Sequence, residues 1–325
     1  MSTTTLNRFL IRIGDNREIS LAAFIVVLLA VLMIAVPSFV VPSNLSEIAQ
    51  NSVTICILAM GEVLVIVTKG IDLSVGATLG MTTLIVGQLA VSGWPIWALL
   101  GVALLVGVVA GSINGLLVSL AKLPPIIVTL GTLSIYTGVM YIITGGNWVT
   151  NLPESFQRLT SWSLLNFFPV MVLYMVALLL VVTIFLRYSI TGRHLYALGN
   201  NAGAARLAGI NERKVIVIPY ILSGVLAAIA GVLYLSYNGF STPSTGSAAN
   251  LQAIAAAVIG GTNVFGGRGS AMGAVLGALL LGIISESLVF FHLLAVWNDA
   301  AEGVIILIAV VADSLLSRSM RARGA

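Results

Sequence analysis

A few polar side chains stand inside stretches that are otherwise almost wholly apolar: the acids Glu62, Asp72 and Glu286, with Asn51, Thr54, Ser74 and Asn114. An ionisable group at membrane depth is costly unless it faces a cavity, a partner or an interface, which makes each acid a candidate for a transport path or gate. Asn51, Thr54 and Glu62 fall at spacings of three and eight, close to one face of a helix. Such a face can hydrogen-bond a polar solute, or relay a proton or cation. Plainer roles stay open beside these: Asp72 as a helix cap, Glu62 paired with Lys69, Glu286 in an interhelical hydrogen bond. No nucleophile and base pair, phosphate-binding Gly-Lys-Ser/Thr loop or HExxH motif is present, so catalysis and ATP hydrolysis are not expected of this chain. His194 and His292 are two isolated histidines and make no metal site.

The elements that position these residues are membrane helices. With 59% apolar and 8% charged residues and a mean hydropathy of +1.10, the chain is far from a soluble domain, in which about a quarter of residues are charged. The single cysteine, Cys56, lies in an apolar run and forms no disulfide within the chain. Arg8, Arg12 and Arg17 lead into an apolar run too long for a signal peptide, which reads as a retained first helix after a cytoplasmic segment, 1–19. Apolar runs punctuated by Gly, Pro, Asn and charge place spans at 20–41, 46–67, 71–91, 96–120, 124–144, 168–187, 215–236, 249–264, 270–290 and 294–316. The expected fold is an all-α polytopic membrane protein of about ten helices, forming one permease-like domain over 1–325. Ten crossings from an inside N-terminus put every Lys and Arg except Arg158 on the cytoplasmic side, and Glu47, Glu154, Asp299 and Glu302 on the other, as the positive-inside rule requires. Residues 145–167 are then outside, and the tail 317–325 is inside.

Two spans are weak. Asp72 and Ser74 sit just inside the third, and Gly260, Gly261, Gly266 and Gly267 interrupt the eighth; broken helices of this kind are tolerated where backbone is buried or lines a wet cavity. Glycines repeat every four residues at Gly107, Gly111 and Gly115 and again at Gly269, Gly273 and Gly277, a spacing that lets helices approach closely in lipid. Helices two to five and seven to ten run in opposite senses, so an inverted repeat is expected. Between the halves lies the longest hydrophilic stretch, 187–214, with Arg187, Arg193, Arg206, Arg213 and Lys214. Its run Ala202 to Ile210 predicts a short helix ended by Gly209, a cytoplasmic knob rather than a tether.

Five segments carry a resemblance: Thr68-Lys-Gly-Ile-Asp-Leu-Ser-Val-Gly76, Leu123-Pro-Pro-Ile-Ile-Val-Thr-Leu-Gly-Thr132, Thr191-Gly-Arg-His-Leu-Tyr-Ala-Leu-Gly-Asn200, Ala204-Ala-Arg-Leu-Ala-Gly-Ile210 and Gly260-Gly-Thr-Asn-Val-Phe-Gly-Gly-Arg-Gly269. Together they resemble the membrane subunits of ribose-type ATP-binding-cassette sugar importers. The resemblance implies a homodimer in the bacterial inner membrane, a cytoplasmic ATPase that supplies ATP and magnesium, and a periplasmic sugar-binding protein. No nucleic acid is implied. It assigns ATPase coupling to Arg193, His194, Gly203, Ala204, Ala205, Arg206 and Gly209. Gly203 stands where such importers often carry an acid, and Ile284-Ser-Glu286-Ser-Leu288 departs from the Arg-Asn-Gly sequence of many relatives. The rival reading is an ion-coupled secondary transporter or channel using Glu62, Asp72 and Glu286.

Overall fold

The computed structural model describes residues 17–164, 168–291, 300 and 303–304. It contains α1 (Arg17–Ala35), α2 (Pro42–Val67), α3 (Val75–Val91), α4 (Ile96–Leu120), α5 (Pro125–Thr144), the single turn α6 (Glu154–Gln157), α7 (Val170–Tyr188), α8 (Ile190–Asn200), α9 (Ala202–Leu207), α10 (Glu212–Asn238), α11 (Ala249–Ile259) and α12 (Ala271–Phe290). A 3-10 turn, Pro37–Val40, precedes α2, and the pair Ser163–Leu164 and Phe168–Pro169 forms a minimal antiparallel ribbon. The expected tenth span, 294–316, the tail 317–325, His292 and most of the segment 1–19 lie outside the described residues.

Among the described residues, seven helices are long and apolar enough to cross a membrane: α1, α2, α4, α5, α7, α10 and α12. Proline at the first position starts α2 and α5, where its missing N–H costs nothing and its fixed φ already suits the helix. α2 and α10 form the buried centre. In their most apolar windows 83% and 61% of residues are enclosed by protein, against 28% for α4 and α5, whose outer faces are left for lipid.

The two weak spans are short helices entered through irregular backbone. At 1.5 Å per residue α3 is about 26 Å long and α11 about 16 Å, short of the ~30 Å hydrocarbon core. The expected starts and ends at 71 and 264 therefore shift to Val75 and Ile259. Residues 68–74 and 239–248 supply the rest, and their polar groups are met by protein, as backbone at this depth requires. Thr129 Oγ1 donates to Ile71 O (3.1 Å), Asn250 Nδ2 to Leu73 O (3.2 Å), and Val149 and Ser241 exchange backbone bonds of 2.9 Å. The two entrances touch: a Cβ on Gly76 would lie 2.2 Å from Gly246 O, and one on Gly246 2.2 Å from Gly76 O. Only glycine fits on either side.

α2 packs on α11 and α12, and α10 packs on α3 and α4; α3 lies on α4 as α11 lies on α12, and α2 meets α10. Exchanging α2 with α10, α3 with α11 and α4 with α12 maps these packed pairs onto one another. The glycine stripes sit in these seams. Cβ atoms on Gly107 and Gly111 would fall 2.4 Å from Gly224 O and 2.2 Å from Tyr220 O, and on Gly273 and Gly277 2.1 Å from Gly260 O and Ala256 O. Gly115 is the loosest, 3.0 Å from Val217, and Gly269 precedes α12 instead of lying in it.

Segment 187–214 holds one helix more than expected. Three side chains punctuate it as N-caps: Ser189 accepts from Gly192 N (2.8 Å) to start α8, Asn201 from Ala204 N (3.0 Å) to start α9, and Asn211 from Lys214 N (3.2 Å) to start α10. Gly209, at φ +77, turns the chain out of α9.

Candidate functional site

The expected path residues divide between two places. Asn51 on α2 and Glu286 on α12 meet, Asn51 Nδ2 donating to Glu286 Oε1 at 2.9 Å, in the wall of a cavity of about 550 Å³. α2 adds Gln50 and Thr54, α10 adds Tyr234, Tyr237 and Asn238, and the irregular entrance to α11 adds Phe240, Thr242, Ser244 and Thr245. Gln252, in the second turn of α11, completes it. A side chamber of about 160 Å³ shares Asn51, Ile55, Gln252 and Glu286. Among the described residues the lining combines amides, hydroxyls, aromatic rings and one carboxylate, without Lys or Arg. Trp148 stacks on Phe240 at 5.9 Å.

Glu62, Asp72, Ser74 and Asn114 line no part of this cavity; all four are fully enclosed. Asp72 Oδ1 accepts from Ser74 N (3.0 Å) and Ser74 Oγ (2.6 Å), Asn114 Nδ2 donates to Ser74 Oγ (2.7 Å), and Thr132 Oγ1 donates to Asn114 Oδ1 (2.7 Å). The carboxylate thus sits beside the first turn of α3, where the helix dipole favours negative charge. The network ties α3, α4 and α5 together. Glu62 faces the α2–α10 seam, where Tyr220 OH and Ser223 Oγ, like both Glu62 oxygens, have no protein hydrogen-bond partner. Of the polar residues singled out in the sequence, Asn51, Thr54 and Glu286 line the cavity, and Glu62, Asp72, Ser74 and Asn114 do not.

At the opposite end, α8 and α9 carry the expected coupling residues. Arg193 is exposed and donates to Tyr188 O at 3.3 Å, His194 is half-buried, and Gly203, Ala204 and Gly209 are exposed. Arg206 lies 3.7 Å from Glu212. Ala205, at 4% exposure, faces the hydrophobic core, and Leu207, at 92%, is what α9 offers outward. Helical spacing separates the two alanines, since Ala204 and Ala205 point about 100° apart. Sequence reasoning also passed over Gln50, Tyr237, Gln252 and the 240–245 hydroxyls. Gln50 and Thr54 are four apart and share Asn51's side of α2, so that stripe was readable; the loop hydroxyls carry no such period.

Residues 44–310 match the family described as branched-chain amino acid transport system / permease component, and the chain belongs to that family. It is 39% identical over 305 residues, 94% of its own length and 88% of the relative's, to the Autoinducer 2 import system permease protein LsrC of Klebsiella pneumoniae, and 37% identical (94% and 89%) to that of Enterobacter sp. strain 638. A probable ABC transporter permease protein of Sinorhizobium fredii is 38% identical over 304 residues, 94% of this chain and 91% of the relative. No solved structure matches. The chain is a multi-pass permease component of an ATP-binding-cassette importer, a transport subunit and not an enzyme. The ion-coupled reading gives way to it.

Proposed function

We propose that the cavity between α2, α10, α11 and α12 is the substrate path for a small uncharged polyhydroxylated molecule of the sugar class. The lining carries the reading. Amides and hydroxyls with a single carboxylate match hydroxyl groups, which both donate and accept, and Tyr234, Tyr237 and Phe240 offer faces for a sugar ring. A branched-chain amino acid, the class in the family description, brings a carboxylate for which the described residues of the lining hold no cation. Autoinducer 2, named in the relatives above, is the first solute to test, beside ribose and other monosaccharides.

The exposed surface of α8 and α9 is the seat of the cytoplasmic ATPase, with Leu207 at its centre and Arg206 at its rim; ATP and magnesium belong to that partner. A periplasmic binding protein delivers the solute at the opposite end, and a second permease subunit completes the path. The basic end faces the cytoplasm, and the N- and C-termini lie on that side of the inner membrane. The exchange-related packing of α2–α4 and α10–α12 supports the inverted repeat. Reconstituted permease, ATPase and binding protein should take up labelled autoinducer 2 or a monosaccharide with ATP, and Glu286→Ala should abolish most of it. Uptake of isoleucine instead would overturn the substrate class.

A further inference from the structure

The importer reading seats the ATPase on α8 and α9, yet the cavity lies at the other end of α2, about 20 Å away between Thr54 and Val67. Besides α2 itself, one stretch connects them: the glycine-rich loop 260–269, which touches α8 and continues from α11, and to which neither substrate nor ATPase has been assigned. The loop folds on itself, Asn263 N donating to Arg268 O (2.9 Å) and Gly266 N to Asn263 O (2.8 Å). It is then gripped from outside. Gly267 N donates to Val67 O at 2.9 Å, meeting one of the carbonyls that the end of α2 leaves unpaired. From α8, Tyr196 OH donates to Gly269 O (2.8 Å) and Asn200 Nδ2 to Gly267 O (3.4 Å). Burial, and then the Glu18 carboxylate, hold the Tyr196 phenol above its ordinary value, so it remains a donor. The fit leaves no slack: a Cβ on Gly199 would stand 1.9 Å from Val67 O and 2.6 Å from Gly267 N.

On its other side the loop runs directly into α11, an eleven-residue rod whose first turns, through Ala249 and Gln252, wall the cavity. A displacement of α8 therefore reaches the cavity through one tight joint and one short helix. We propose that loop 260–269 is the joint through which the ATPase, acting on α8, moves α11 and opens or closes the cavity. The inference rests on the importer reading and adds the route.

The test uses the complete transporter in proteoliposomes, with Tyr196→Phe and Gly267→Ala combined, the first removing the half-buried tyrosine's link from α8 to the loop and the second placing a methyl 2.4 Å from Asn200 Oδ1 at a buried position, so that the exposed surface of α8 and α9 is unchanged. The ATPase should co-purify and show parental basal hydrolysis, while ATP consumed per solute imported rises about fivefold, the equilibrium equivalent of one neutral hydrogen bond. Tyr196→Phe alone, which deletes a single oxygen, should move the same ratio in the same direction. An unchanged ratio in both variants overturns the joint alone. So does loss of the ATPase from the complex, because the contacts would then shape the docking surface. A parent transporter without ATP-dependent uptake overturns the importer reading and the joint with it.

Discussion

Gly111→Ala is a one-methyl perturbation whose outcome the α4–α10 seam fixes. The added Cβ would lie 2.2 Å from Tyr220 O and 2.8 Å from Ile221 Cα. Both are backbone, so no side-chain rotation relieves the clash, and α4 must retreat by roughly 1 Å from the helix that it buries against, since carbon and oxygen rest no closer than about 3.3 Å. Overpacking of this kind costs about 1 to 3 kcal/mol. On α5, Gly131 is exposed, and a Cβ there meets nothing within 4 Å. Gly131→Ala therefore gains the 0.5 to 1 kcal/mol or so that alanine holds over glycine inside a helix. The two identical chemical changes should move thermal unfolding of the purified permease in detergent in opposite directions, followed by tryptophan fluorescence. Gly111→Leu and Gly273→Leu should go further and impair assembly. A Gly111→Ala protein that melts at or above the parent refutes the close-packed seam, and a Gly131→Ala protein that falls as far shows that glycine flexibility, not clearance, governs both.

Glu286→Gln keeps the shape of the Asn51 contact and removes its charge; solute uptake should fall by about tenfold, the worth of a charge-assisted hydrogen bond near 1.5 kcal/mol, with membrane level unchanged. Leu207→Asp should release the ATPase without lowering permease stability, whereas Ala205→Trp should lower that stability because its site is buried, a contrast read by co-purification beside thermal melts. Arg206→Ala should weaken ATPase binding by no more than about 1 kcal/mol, since an ion pair at the rim of the docking surface is solvent-screened. After Cys56 is replaced, an impermeant thiol reagent should label a cysteine at 155 from outside and one at 200 only from inside; the reverse pattern overturns the orientation.

Hydrophobic runs of full length were legible: α2, α4, α5, α7, α10 and α12 stand within a few residues of their expected bounds because burial in lipid demands length and apolarity that composition displays directly. α8 was not, since Thr191-Gly-Arg-His carries no apolar stripe and its start depends on the Ser189 cap. Glu62 and Glu286 look alike as lone acids in apolar helices. Only the partner helix separates them, because α10 closes over the first while a cavity opens beside the second. α9 shows the same on a smaller scale: its composition does not tell Ala205 from Leu207, and its rotation about its own axis decides that the first is buried and the second exposed.

The enclosed acid of α2 also imposes an order on biogenesis. Glu62 leaves the ribosome with α2, whereas Tyr220 and Ser223, which enclose it, belong to α10 and follow only after α3 to α9 have been made. An acid inside a membrane helix disfavours insertion, less so toward the end of the helix where Glu62 lies than at its centre, and the Ile, Leu and Val of α2 offset that cost. The nascent half-protein thus enters the bilayer with a polar group facing lipid or the insertion machinery, and conceals it only when the second half arrives. Any lesion that keeps α10 from seating leaves that acid on display, a mark by which membrane quality control can tell an unfinished permease from a finished one.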